Sequence, residues 1–388
     1  MKIILYVHQS SEMYGSDKVL LLLVQGLRMS GQFHPVVVLP ETGALYTALL
    51  ASGVEVHIGE VAKISRAMFT PLGLFRLAWQ TFQSIRFLDR IVAGRPIAVV
   101  HSNTLAVLSG AAWAFLRRRK HLWHVHEIIL SPKLVSKTLP YLVSRLSDRV
   151  ISNSTLTERW LLSEQQSLAS RSVVVFNGLP LVKKPVEAAI NGFRASVSAK
   201  ADDVVVTLVG RINRWKGQEL LLKAAAELKR RNRTGLLRFV IVGDAAPGLE
   251  DLPSQLKAQA LAGGFEERCS FVPFVDDIWP VWFGTDIAVV PSTEPEPFGM
   301  VAIEAMAAGV PVIAAGHGGL LDILLHEETG LFFEPRDFLA LADAVDRLAS
   351  NEALRTRLGR AGAKRQCELF SVESQVAQMA KVYEEAME

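Results

Sequence analysis

The sequence predicts an α/β protein made of two doubly wound parallel-sheet domains. Three observations carry that expectation. Short runs rich in Val and Ile alternate with longer stretches of helical periodicity, the pattern of parallel sheets whose crossovers are helices. At 388 residues the chain exceeds what one hydrophobic core ordinarily supports. The alternation also lapses once near the middle, in a segment carrying Pro180, Pro185 and Gly192.

Taken in order, the first half places strands at 3–8, 35–39, 55–58, 98–101, 122–125, 149–152 and 172–176. Helical stretches, among them 18–29, 44–52 and 105–118, lie between them. The boundary falls after Asn177-Gly178, so the first domain is 1–178 and 179–203 reads as a linker with a short helix. The second domain, 204–370, has strands at 204–209, 238–242, 269–271, 287–290, 311–314 and 330–333. Its helices include 217–230, 253–262, 299–308 and 339–348. Two such domains facing each other would place a crevice at the carboxyl ends of both sheets, where ligands bind in doubly wound folds.

Composition narrows the class. Half of the residues are apolar, so both cores can be filled. The two cysteines, Cys269 and Cys367, fit no metal or redox spacing and exclude a disulfide framework, which suits a reducing cytoplasm. The opening residues 1–9 read as a first strand rather than a signal peptide, since no small-residue cleavage site follows. The longest uncharged apolar stretch before the basic cluster, 105–116, is shorter than the roughly 20 residues a spanning helix needs. A soluble or peripheral protein is expected.

Charge is unevenly spread. Residues 1–190 hold 21 basic and 11 acidic side chains, a net +10, and the remainder holds 21 and 28, a net −7. The densest patch, Arg117, Arg118, Arg119 and Lys120, is flanked by Trp113, Phe115 and Trp123. Further cations over 63–90 are interleaved with Met68, Phe69, Leu74, Phe75, Trp79 and Phe82. This mixture suits an anionic membrane surface; a solvated basic face over an ordinary buried stripe is the plainer alternative. No nucleic-acid module is present.

Two segments carry chemistry. In 206–217 a buried strand ends in Gly210, where the backbone can approach a ligand, and Arg211 and Lys216 follow beside a helix start near Gly217. Forked and point cations next to uncapped helical N–H groups suit a diphosphate, although a turn with solvated cations would read the same way. In 290–311 a strand runs through a Pro-rich turn into a helix opening at Gly299. Glu296 stands just before that helix, and Glu304 lies within its apolar run, where a carboxylate is costly without a partner. Carboxylates suit the vicinal hydroxyls of a ribose or hexose.

The Glu296-x7-Glu304 spacing, the EPFG and EAMAAGVPVIA wording and the GRINRWKG segment resemble the retaining GT-B glycosyltransferases, in particular family 4. VVVFNGLP (Asn177, Gly178), ETGLFFEP (Gly330, Pro335), HVHE (His124 to Glu127) and MYGSDK (Gly15) extend the resemblance over nearly the whole chain. It implies a GT-B fold, two facing Rossmann-like domains, with the final helix, 371–388, packing back toward the N-terminal one. It implies that Arg211 and Lys216 bind the donor diphosphate and stabilise the leaving group. Glu304 would accept from the ribose, Glu296 from the donor hexose, and the backbone at Phe298, Gly299 and Met300 would touch sugar and phosphates. Gly15 would let an N-domain loop approach the diphosphate, and His126 would lie near the transferred sugar. His8, His101, His124 and His317 are expected to be structural.

The expected reaction is hexose transfer from a nucleotide-diphosphate sugar to a glycan or polyprenyl-diphosphate-linked acceptor, with retention and by a front-face route. Bacterial polysaccharide assembly at the cytoplasmic face of the inner membrane would be its setting. No Asp-x-Asp and no clustered metal-ligand spacing occurs, so no metal and no cofactor are expected. Two departures from the family pattern stand out: Tyr14 precedes Gly15 where a second glycine is common, and Asp322 stands where a glutamate is common. The rivals are an epimerase of the same fold and a catalytically silent binding module. A nicotinamide oxidoreductase is disfavoured because no GxGxxG follows the first strand.

Overall fold

The structure, a computed structural model, describes residues 1–13, 15–64, 70–129 and 132–388. Tyr14, Met68 and Phe69, singled out from the sequence, lie outside the described residues. The chain divides into two compact units, the first comprising Met1–Pro180 and Leu369–Glu388, the second Leu181–Glu368.

Unit 1 carries β1 (Lys2–His8), α1 (Gly15–Met29), β2 (Phe33–Leu39), α2 (Ala44–Ala51), β3 (Glu55–Ile58), α3 (Pro71–Val92), β4 (Ile97–Asn103) and α4 (Ser109–Leu116). It continues with β5 (His121–Val125), α5 (Lys133–Leu146), β6 (Arg149–Ser152), α6 (Thr155–Glu164) and β7 (Ser172–Val174). The strands form one parallel sheet in the order β3-β2-β1-β4-β5-β6-β7. Helices cover both faces of such a sheet, so its strands read as continuous apolar runs, as in KIILYVH of β1.

The expected helix 105–118 starts later than its apolar composition suggests. Asn103 ends β4, and Val107 makes an antiparallel bridge with Lys63 while Leu108 N–H donates to Ala62 O. Backbone committed to that pairing cannot join the helix. The strand expected at 98–101 runs on through the buried polar residues Ser102 and Asn103. Burial of polar groups at a strand end marks the place where a fold admits function over packing.

The final helix of the chain, α15 once its predecessors are counted (Val372–Met387), belongs to unit 1. Gln375, Met379, Val382, Tyr383 and Ala386 form its buried stripe. An added Cβ at Gly26 of α1 would stand 2.5 Å from Val376 Cγ2, so the two helices approach closely. The Tyr383 hydroxyl lies 2.5 Å from that of Tyr6 and 2.8 Å from His101 Nδ1, which anchors the helix on the sheet.

Unit 2 opens with α7 (Glu187–Ser196), inside the stretch expected to be linker; its Phe193 packs with Val205, Val240 and Val281. Then come β8 (Val204–Val209), α8 (Gln218–Arg230), β9 (Leu237–Val242), α9 (Leu252–Ala262), β10 (Cys269–Val272), α10 (Trp279–Phe283), β11 (Ile287–Val290) and α11 (Met300–Ala307). They are followed by β12 (Val312–Ala315), α12 (Leu320–Ile323), β13 (Gly330–Phe333), α13 (Phe338–Ala349) and α14 (Glu352–Leu369). The parallel order is β10-β9-β8-β11-β12-β13. In both units the chain winds outward from its first strand one way, then returns to wind the other way. The switch points therefore lie between β1 and β4 and between β8 and β11, where a doubly wound sheet opens a crevice at its carboxyl edge.

Both cysteines are free. Burial pushes the Cys269 thiol up to about 12, which leaves it protonated and inert.

Candidate active site

In unit 2, β8 ends at Val209, and Gly210 (φ +154) turns the chain out of the sheet. The Asn213 side-chain oxygen accepts from the backbone N–H of Trp215 (3.1 Å) and of Lys216 (2.8 Å). This turn aims Lys216 back over the strand end. Gly217 (φ +81) then opens α8, and Gln218 Nε2 donates to Arg211 O at 3.1 Å. The neighbouring loop after β11 is tied on by Thr293 N–H donating to Trp215 O at 2.7 Å.

That junction is tight. A Cβ at Gly217 would lie 2.0 Å from Pro291 O, and the residue sits in left-handed backbone. Gly217→Ala is expected to cost about 2 kcal/mol or more in urea unfolding; a loss under about 0.5 kcal/mol, the scale of ordinary surface substitutions, would contradict this close approach.

The charged centre is the pair Lys216–Glu296. The Lys216 ammonium donates to Glu296 Oε1 at 2.9 Å, with the two side chains only 17% and 7% exposed. The Ser292 hydroxyl donates to the same oxygen, and the ammonium stands 4.5 Å from the Trp215 ring centroid. Glu296 is held by its backbone as well: its carbonyl accepts from Gly319 N–H at 2.7 Å. His317 Nε2 donates to Ser292 O at 2.8 Å, so this histidine is a loop fastener. Phe298 is buried, Gly299 (φ +129) forms the start of α11, and Met300 is half-buried. Neither α8 nor α11 has a side-chain cap on its first N–H groups, which leaves two helix starts able to receive an anion.

Of the residues expected in unit 2, Gly210, Lys216, Glu296, Phe298 and Gly299 meet at the carboxyl ends of β8 and β11. Arg211 supplies its carbonyl to this junction and has an exposed side chain. Glu304 sits one turn into α11, where Trp282 Nε1 of α10 donates to its Oε2 at 3.4 Å. The indole is one partner for that half-buried carboxylate, and nothing in the local sequence named it.

In unit 1 the switch point gathers polar side chains from β1, β4, β5 and α1. His8 Nε2 donates to Asp17 Oδ1 at 2.6 Å, and the Ser10 hydroxyl donates to the same oxygen at 2.7 Å. Asn103 Nδ2 donates to His8 Nδ1 at 3.0 Å, and His126 Nε2 donates to Asn103 Oδ1 at 3.0 Å. Read outward from the Asp17 carboxylate, each donor fixes the next tautomer and leaves Nδ1 of His126 as the acceptor nitrogen. Burial holds the His126 ring well below the usual histidine range, reinforced by His124 and His8, so it is neutral at physiological pH. Glu127 is half-buried, and its desolvation pushes the carboxyl up, though the N–H groups of Leu105 and His126 donate to it. His101 and His124 are likewise held neutral by burial, as a structural reading of both implies.

From the sequence His126 is a candidate and His8 structural, whereas nothing there marks Asp17, Ser10 or Asn103. Their common signal is faint: polar residues closing apolar strands. Gly15 begins α1, and nothing lies within 4 Å of where a Cβ would stand. Among the described residues no group of three or more His, Cys, Asp or Glu side chains is placed to hold a metal ion.

Comparison with known proteins bears on this arrangement. The sequence model "Glycosyl transferases group 1" matches residues 190–365, and "Glycosyltransferase Family 4" matches residues 14–183. A D-inositol 3-phosphate glycosyltransferase of Nocardioides is 31% identical over 363 residues, covering 86% of this chain and 78% of the relative. An uncharacterized glycosyltransferase of Methanocaldococcus jannaschii is 31% identical over 259 residues, 64% of this chain, and the match spans 63% of that relative's length. The crystal structure of Anabaena Alr3699/HepE in complex with UDP superposes with a TM-score of 0.83 at 26% identity, covering 99% of this chain and 100% of that one. With these matches over both sheets, the chain belongs to the group 1, family 4 glycosyltransferases and has their GT-B fold.

Proposed function

We propose that the chain moves a hexose from a nucleoside-diphosphate sugar to a hydroxyl of a membrane-borne glycan or lipid-linked sugar, with retention and without a metal. The observation that carries this reading is the Lys216–Glu296 pair at the switch point of unit 2, set between two uncapped helix starts. An ammonium held by a single carboxylate oxygen can exchange it for a phosphate oxygen, releasing Glu296 to accept from sugar hydroxyls. Arg211 adds the second cation, and Glu304 receives the ribose. The reaction is then mostly electrostatics. As the C1–phosphate bond breaks, negative charge grows on the departing oxygen beside Lys216, Arg211 and the helix dipoles. The acceptor oxygen bonds to C1 on the same face, and its proton passes to the departing phosphate. Neutral His126, fixed in one tautomer, offers a hydrogen-bonding group for the transferred sugar.

That Anabaena HepE is solved with UDP-glucose makes this compound the first probe. Incubation with UDP-glucose and a lipid-linked sugar should give UDP and a glycoside whose anomeric proton coupling matches that of the donor. Donor conversion without acceptor would favour an epimerase. Binding of the donor with no turnover under any acceptor would favour a silent module.

A further inference from the structure

Helix α3 is only half packed. Its buried residues are Ser84, Leu88 and Val92, all in its second half, while the three turns over 71–83 bury none. Yet those turns are apolar: Leu72, Phe75, Trp79 and Phe82 are 78%, 71%, 55% and 48% exposed. They follow one another at steps of three and four residues, and Arg86 and Arg90 continue the same stripe. The Arg86 guanidinium lies 5.7 Å from the Phe82 ring centroid, and the rings of Trp79 and Phe82 are 6.0 Å apart. Helices in proteins owe most of their stability to tertiary packing of an apolar face, so an apolar half without packing implies a further surface.

The charge around it selects that surface. Between residues 60 and 126 the sequence has ten basic side chains and two acidic ones, Asp89 and Glu60, the latter lining the same hollow as Trp79 and Arg90. Asp89 is already occupied by Arg117 at 2.6 Å and by Trp113 Nε1 at 2.9 Å. These contacts dock the end of α4 on α3, followed by the exposed Phe115, Leu116, Arg118, Arg119 and Lys120. A second copy of this chain across a two-fold axis would bring like charges together. A spanning segment is not at issue, since among the described residues no helix is long and apolar enough to cross a membrane.

We propose that this face of α3 docks on an anionic lipid bilayer. Leu72, Phe75, Trp79 and Phe82 enter the interface, while Arg86, Arg90 and the 118–120 cations lie at the level of the phosphates. The inference rests on the membrane-borne acceptor proposed above and names the surface that would serve it. Nothing in the diphosphate site takes part, so the surface can be altered without touching the chemistry.

The test is co-sedimentation of the full chain with phosphatidylcholine vesicles, with and without phosphatidylglycerol, at low salt. The wild type should sediment with the anionic vesicles and stay in solution with the neutral ones. Phe75→Ser/Trp79→Ser/Phe82→Ser, at unchanged Tm, should lose partitioning about tenfold or more. Removing Arg118, Arg119 and Lys120 should cost about fivefold per charge. If the wild type ignores anionic vesicles, the membrane reading itself falls, and this inference with it. If it binds and the triple serine variant binds equally, the surface assignment alone is wrong. A wild-type dimer that the triple variant dissolves, with vesicle binding unchanged, would identify a self-association face and overturn the proposal.

Discussion

Lys216→Ala is expected to slow sugar transfer by roughly 10²- to 10³-fold, the range for removal of one preorganised group that stabilises transition-state charge. The same change should lower stability by about 1–3 kcal/mol, because it leaves the buried Glu296 carboxylate with the Ser292 hydroxyl but without its cation. These two losses have different origins and can be separated. In Lys216→Ala/Glu296→Gln the uncompensated charge is gone, so stability should return while transfer does not. Urea unfolding and steady-state rates on the four proteins of this cycle decide the matter. Recovery of rate together with stability would make the pair a structural strut with no part in the reaction.

Acidification should unfold unit 1 well before unit 2. Burial holds His101, His124 and His126 well below the usual histidine range, and lowers His121 to about 4. A histidine whose folded value is depressed supports stability above its unfolded value, near 6.5, and loses it as the pH falls toward the folded value. At pH 5 the unfolded rings are largely charged while these four stay neutral in the fold, so each withdraws stability from a typical total of only about 5–15 kcal/mol. Glu127 opposes this slightly: its value is raised by burial, so its penalty is relieved in acid. Glu55 and Asp89, held low by Arg95 and Arg117, give way only at lower pH. Unit 2 has His317 and His326 alone, one half-buried and one exposed. Hydrogen exchange in urea at pH 7.5, 6 and 5 should show protection of β1, β4 and β5 collapsing while β8, β9 and β11 hold. Equal loss in both units would contradict the histidine origin.

The parts legible in the sequence are those set by neighbours along the chain. Apolar runs of four to seven residues located strands in both sheets because parallel strands are buried on both faces. The proposed diphosphate site could be framed from sequence because strand end, glycine, cations and helix start occupy the contiguous segments 206–217 and 290–311. The rest depends on strand order. His8, Asn103 and His126 are adjacent only because β1, β4 and β5 are neighbours in the sheet. Trp282 reaches Glu304 from another helix. The late start of α4 follows from backbone pairing with residues more than forty positions earlier. The aromatic stripe of α3 read from sequence as a basic, aromatic segment, and its lack of packing could be seen only once its other face was placed.

A crystal structure of the chain with UDP-glucose measures the main proposition without intermediaries. The diphosphate should lie at the openings of α8 and α11 within hydrogen-bond reach of the Lys216 ammonium, with the ribose on Glu304 and the hexose on Glu296. A diphosphate bound away from the ends of β8 and β11, with Lys216 still paired to Glu296, would contradict it.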